Sequence, residues 1–266
     1  MSPYELFTTT DVAELWSRID AAGERFLGLA RDVDEALSLR NSTWSANDVV
    51  GHVLTVVRRY TQGPTLGDTP RDVDRINADE LATIADVPYR ERIDDLAREL
   101  KVMREMWSSE TLDLHGRVPF HGGTTVDIAA ALSNMIGELL LHGYDVARSA
   151  ERPWPLHERD CVLILNGVLQ ILPAYANRSS EASLRLKLVT KGAQRWLLAF
   201  DRGQLTSEPA SRGQEVDVVV RTPASTLVLA LYSRLSPWAA ACKGMYVVGG
   251  RHPWRVLRLG SLLEKP

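Results

Sequence analysis

Two cysteines in 266 residues, Cys161 and Cys242, are too few for a disulfide framework, and neither belongs to a CxxC pair. Basic excess is lacking as well. A formal net charge of −3 argues against nucleic acid or an anionic membrane as the main partner. No run approaches the 18 or so apolar residues that a bilayer span needs. The opening stretch MSPYELFTTTDVAELW has neither a basic n-region nor an apolar h-region, so no signal peptide is expected. Internal repeats and low-complexity tracts are absent. These absences point to a reduced, cytoplasmic protein. What remains is ordinary globular material, with 45% hydrophobic and 24% charged residues. The length exceeds the usual size of one domain, so two are expected.

Four helical stretches read in the first 150 residues. One runs from Asp11 to about Ala30, and a second starts at Ser45, where Ser45 and Asp48 form a capping box with a shorter acid. A long polar connection, PTLGDTPRDVDRIN, follows and is placed to cover or flank a site. The third helix spans Tyr89 to Trp107. A loop or hairpin, TLDLHGRVPFHGGTTV, leads through a Thr124–Thr125 cap into a fourth helix, Val126 to about Arg148. Arg152-Pro153-Trp154-Pro155 breaks the pattern, which sets the expected domains at 1–152 and 156–266. The second part reads as a buried helix, CVLILNGVLQILPAY, then alternating strands ASLRLKLVT, RWLLAF and EVDVVVR. A helix after Pro223, a short strand GMYVVGG and a final helix from Pro253 to Leu263 complete it. The expected class is α+β, a helix bundle followed by helices on one side of a small, mainly antiparallel sheet.

Chemistry concentrates at His52, Glu138 and His142. Glu138 and His142 are four apart in GELLLHGYD, so a helix sets them on one face, about 6 Å apart along its axis and about 40° apart around it. Such a pair can also be a surface contact worth a few tenths of a kcal/mol. Their neighbours in the same phase, Met135 and Leu139, are apolar, and a core-facing carboxylate is costly unless paired or bound to a metal. Two histidines and one carboxylate are a catalytic zinc set that leaves a coordination position open, although nickel, cobalt, manganese or iron also suit these donors. Asp48 reads as a helix-start residue. Asp145 reads as a structural residue, a cap or a partner of Arg148, with orienting a ligand as the alternative. His115 and His121 flank a turn and read as solvent-exposed. Arg58 and Arg59 read as the solvated end of a helix. Arg221 and Arg234 are available to an anion, and Arg221, at a strand end, is the weak candidate for contacting a cofactor. Both cysteines read as small buried hydrophobes.

WSANDVVGHVLTVVRRY resembles the W-(S/T)-x-x-D-(V/L)-(V/L)-x-H-(V/L) segment of the DinB-like superfamily, and in particular of the mycothiol-dependent maleylpyruvate isomerase family. GELLLHGYDVARS is similar to that family's E-x-x-x-H-x-(W/Y)-D-(V/L)-A segment, and VPFHGGTTV to the approach to the same helix. The resemblance covers the first 150 residues in order. It implies metal ligands at His52, Glu138 and His142, a four-helix metal-binding domain, and a C-terminal domain similar to sterol-carrier folds. It also implies a divalent metal, most simply zinc, and mycothiol as cofactor. Asn47 replaces the usual basic residue and Tyr144 a frequent tryptophan, and both changes bear on substrate rather than on the ligands. The expected function is that of a metal- and thiol-dependent transferase or isomerase acting on a small electrophile. A non-catalytic metal- or ligand-binding protein and a metal-dependent hydrolase are the alternatives. The electrophile and the oligomeric state do not follow from these residues.

Overall fold

The computed structural model describes residues 10–40, 42–63, 69–120, 123–191, 193, 195–211 and 213–264. Its class is α+β. Helix α1 (Val12–Asp32) starts at Asp11, whose side chain accepts from the Glu14 amide at 2.7 Å. Helix α2 (Ala46–Thr61) starts on the full capping box: Ser45 Oγ accepts from the Asp48 amide at 3.2 Å, and Asp48 accepts from the Ser45 amide at 2.8 Å. Each buries an apolar stripe, Leu15, Trp16, Ile19 and Phe26 on α1 and Val49, Val50, Val53 and Leu54 on α2.

Part of the expected polar connection is helical: α3 (Val73–Thr83) buries only Ile76, too little apolar periodicity to stand out in the sequence. Helix α4 is Tyr89–Trp107, as the spacing predicts. The Thr124–Thr125 cap is corrected. Those β-branched residues lie in β2 (Thr124–Asp127), which pairs antiparallel with β1 (Arg117–Phe120), and α5 (Ile128–Ser149) begins only after Asp127. Helix α2 packs on α4 and α1 on α5, and α2 also touches α5.

After the turn at Arg152–Pro155, α6 (Glu158–Ile171) lies along α5. A Cβ on Gly167 would stand 2.8 Å from the Ala130 carbonyl oxygen, so this close crossing requires glycine. The sheet runs β5-β4-β3-β6-β7, from strands β3 (Ser183–Thr190), β4 (Trp196–Asp201), β5 (Gln204–Pro209), β6 (Val218–Thr222) and β7 (Tyr246–Gly249). Among the described residues, the β3–β6 pairing alone is parallel in this sheet.

Three elements differ from the expectation. Strand β5 joins β4 through the Arg202-Gly203 turn; its one buried residue, Leu205, gives little pattern to read. Helices α7 (Ala224–Leu231) and α8 (Pro237–Cys242) flank a sharp corner, and α8 is absent from the sequence reading. The final helix is instead a 3-10 segment, Pro253–Arg258, followed by the single turn α9 (Leu259–Leu262). From there the chain doubles back against the end of α6: the Glu264 amide donates to the Tyr175 carbonyl at 2.8 Å. One buried hydrophobic cluster runs from Leu15 on α1 to Leu262 on α9. Among the described residues no helix is long and apolar enough to cross a membrane.

Candidate metal centre

His52, in the middle of α2, and Glu138 and His142, in the middle of α5, meet between the two helices. Their candidate ligand atoms all lie within 4.8 Å of one another, the arrangement of a possible metal site. Both histidines present Nε2 to the same carboxylate oxygen, Glu138 Oε2, at 3.5 Å from His52 and 3.3 Å from His142. A tetrahedral ion with bonds of about 2.0–2.2 Å places its ligand atoms about 3.3–3.5 Å apart. The donor set fits such an ion, and so do the two spacings from the histidines to Glu138. The other carboxylate oxygen, Oε1, accepts from Asn134 Nδ2 at 3.2 Å, one turn earlier on α5. That bond leaves Oε2 for the histidines.

The electrostatics favour donors ready to bind a cation. Burial pushes the His52 imidazole below its ordinary range, against the pull of Glu138, and so favours the neutral ring. Burial alone would raise the Glu138 carboxyl, but hydrogen bonds from His142 and His52 outweigh it and hold it well below its ordinary range. His52 Nδ1 is buried without a hydrogen-bond partner among the described residues. Trp44, just before the α2 cap, lies against both imidazoles, with ring centroids 5.0 Å from His52 and 6.2 Å from His142.

The cluster sits in the wall of a cavity of about 740 Å³. Helix α3 contributes Val73, Asp74 and Asn77, so the polar connection flanks the site through a helix; its residues 64–68 lie outside the described ones. The β1 hairpin contributes Val118, Pro119 and Phe120. From the C-terminal half come Tyr175, Tyr232 and Arg234. Burial raises the hydroxyl pKa of Tyr60, Tyr175 and Tyr232, all cavity residues, and the Glu138 charge adds to it, so these phenols are neutral donors.

Arginines reach the same cavity under different constraints. Arg59 is not a solvated helix end: it clamps Glu80 of α3, with Nη2 at 2.6 Å from Oε2, and is largely buried. Arg58 is likewise held, by Asp95 at 3.0 Å, and does not line the cavity. Arg234 makes a two-pronged bond to Asp145, with Nε at 2.9 Å from Oδ1. Asp145 thus pairs with Arg234 rather than Arg148, and its Oδ2 stands 3.9 Å from His142 Nδ1. Arg221 is exposed on β6, opposite Tyr246, and does not line the cavity. His115 is exposed and also outside the lining, while His121 lies outside the described residues. Asp48 serves the α2 cap. Cys161 is buried and its thiol pushed up by burial, whereas Cys242 is exposed, which corrects the buried reading for that residue. Asn134 carried a signal in the sequence, one turn before Glu138 on the same face. Tyr175 and Tyr232 carried none, because tertiary packing alone brings them to α5.

No protein-family profile matches the chain, and no curated protein matches it by sequence. Among solved structures, the fold is similar to that of the mycothiol-dependent maleylpyruvate isomerase, at a TM-score of 0.55 and 17% identity over 95% of this chain and 98% of that one. A point mutant of the same isomerase matches at 0.55 and 16% over the same shares. This is a distant relationship of fold.

Proposed function

We propose that the protein is a metal-dependent enzyme that uses a low-molecular-weight thiol, mycothiol by the resemblance, in an isomerase or thiol-transferase reaction on a small electrophile. The observation that carries this reading is the His52–Glu138–His142 cluster, whose ligand atoms lie within 4.8 Å of one another in the wall of a cavity of about 740 Å³. The two histidines and Glu138 would hold the ion, with zinc the best fit to two nitrogens and one oxygen. A divalent cation there would lower the pKa of a thiol so that it is a nucleophile at neutral pH.

The chain's own residues set the conditions for that chemistry. Asn134 fixes the rotamer of Glu138 through Oε1. Trp44 covers both imidazoles and keeps bulk water from their outer faces. The neutral phenols supply hydrogen-bond donors to an electrophile whose oxygen gains charge during attack. Neither cysteine replaces an external thiol, since Cys161 is buried and Cys242 lies outside the cavity lining. The fold shared with a mycothiol-dependent isomerase supports the same reading. So does the break near Arg152–Pro155, with helices bearing the ligands before it and the opposing wall after it.

The test is metal analysis of the purified chain, followed by cobalt substitution and titration with several thiols. One equivalent of divalent metal and a thiolate-to-cobalt absorption band with one thiol are expected. A chain that neither contains nor takes up stoichiometric metal would sink the proposal at its first step.

A further inference from the structure

The Glu138 cluster faces more than one space. Behind the main cavity lies a smaller recess of about 130 Å³, and Asn134, Glu138, Tyr175 and Tyr232 line both. Its remaining wall is Val168, Ile171, Leu172, Leu231, Leu263 and Glu264. These come from the end of α6, the end of α7 and the returning C-terminal chain. The bridge between Ala176 and Leu263 and the Glu264–Tyr175 backbone bond hold that wall in place. Among the described residues no arginine, lysine or histidine lines the recess. Its one charge besides Glu138, Glu264, is already bound by Arg71 at 2.6 Å. An anionic group placed there would find no arginine, lysine or histidine in the lining to pair with, at a steep desolvation cost.

The main cavity is equally sparing with free positive charge. Arg59 is held by Glu80, Arg234 by Asp145 and Arg40 by Glu151. Among the described residues only Arg148, which is exposed, lines this cavity as an arginine without an ion-pair partner. A site for a compact polyanion would offer several uncommitted side-chain cations; beside the ion of the proposed centre, this one offers a single unpaired arginine among its described lining residues and an apolar recess.

We infer that the recess between α6, α7 and residues 262–264 is a substrate subsite for a neutral aliphatic tail, so that the electrophile is an apolar-tailed molecule with at most one anionic group. Its polar head lies by Glu138 and the two tyrosines, and its tail passes between Tyr175 and Tyr232. This rests on the metal-and-thiol reading, since it takes the Glu138 cluster as the reacting centre.

The probe is a series of straight-chain primary alcohols, butanol to decanol, whose binding to the full chain is followed by ligand-observed NMR. Each buried methylene strengthens binding about fourfold until the recess is full, after which affinity levels off. Val168→Phe, which fills the recess, makes it level off at a shorter chain; Leu231→Ala, which enlarges it, moves the limit to a longer one. Should the phenylalanine variant fail to fold, the alanine variant decides. Affinity independent of chain length, or a limit that Leu231→Ala leaves in place, overturns the inference. Metal content and the cobalt–thiolate band are read on the same preparations. A normal band with a flat alcohol series removes the subsite alone, whereas missing metal with a chain-length gain removes the functional reading and leaves the recess.

Discussion

His52, Glu138 and His142 stand in the middle turns of two long helices, whereas the wall opposite them is made of ends and corners. Tyr175 closes a 3-10 segment, and Tyr232 and Arg234 flank Ser233, a non-glycine residue held at φ 60°. Mid-helix residues are fixed by backbone hydrogen bonds on both sides and by the buried stripe of their own helix. Residues at a corner are fixed only by what they touch. The difference separates a wall whose geometry must be set before a ligand arrives from one that is free to define which ligand arrives. A left-handed non-glycine residue costs about 1–3 kcal/mol and persists where surrounding contacts hold it. Here the Arg234–Asp145 bond ties the corner back to α5, three residues beyond His142.

The comparison breaks most directly at the ligands. His52→Ala is expected to lower metal affinity by about 100-fold or more, beyond the 10–100-fold typical of outer partners, while circular dichroism stays native. Elemental analysis after dialysis reads it, and retained stoichiometric metal would remove His52 from the centre. Asn134→Ala, which frees Oε1 of Glu138, should cost about 10–100-fold in metal affinity, measured by chelator competition. An unchanged affinity would show that the helix alone orients the carboxylate.

Acid should act on the helical wall first. The folded pKa of His52 lies below its ordinary 6.5, so as pH falls through that value the unfolded chain takes up a proton that the buried ring resists. The stability of the metal-free protein is therefore full above 6.5 and declines below it. Glu138, also depressed, adds to the loss only once pH falls below its ordinary 4.5. Urea unfolding across this range reads the slope, and His52→Gln should flatten its upper part.

The opposing wall should respond differently. Ser233→Val puts a β-branched residue at φ 60° and is expected to destabilise by about 1–3 kcal/mol. Metal uptake should persist while affinity for thiol or electrophile drops; calorimetry separates the two, and joint loss would mean that the walls are one unit. Arg221→Ala, exposed and away from the cavity, should change stability by less than about 0.5 kcal/mol and leave ligand binding intact. A clear loss of binding there would enlarge the site beyond the cavity described.

How much was legible follows the same divide. Four of the N-terminal helices carry strong signals: the Asp11 cap on α1, the Ser45–Asp48 box on α2, the three-and-four spacing of α4 and the long apolar face of α5. Helix α3 gives no periodic signal because it buries one residue, and β5 gives none because its alternation is nearly all polar. Arg59 looked solvated because its partner, Glu80, lies on that unrecognised helix. Cys242 looked buried among alanines, but α8 is a short surface turn that buries only Ala240.

By itself the sequence determined that Glu138 and His142 share a helix face and offered His52, on another helix, as the third candidate; their convergence was decided by the packing of α2 on α5. Helical periodicity is local and needs no knowledge of the rest of the chain. Only the tertiary structure decided what the centre looks at. The Arg234–Asp145 tie spans 89 residues of sequence, and the tyrosines and the apolar recess likewise come from segments distant from α5 in the chain. Packing brings them together where no sequence period connects them.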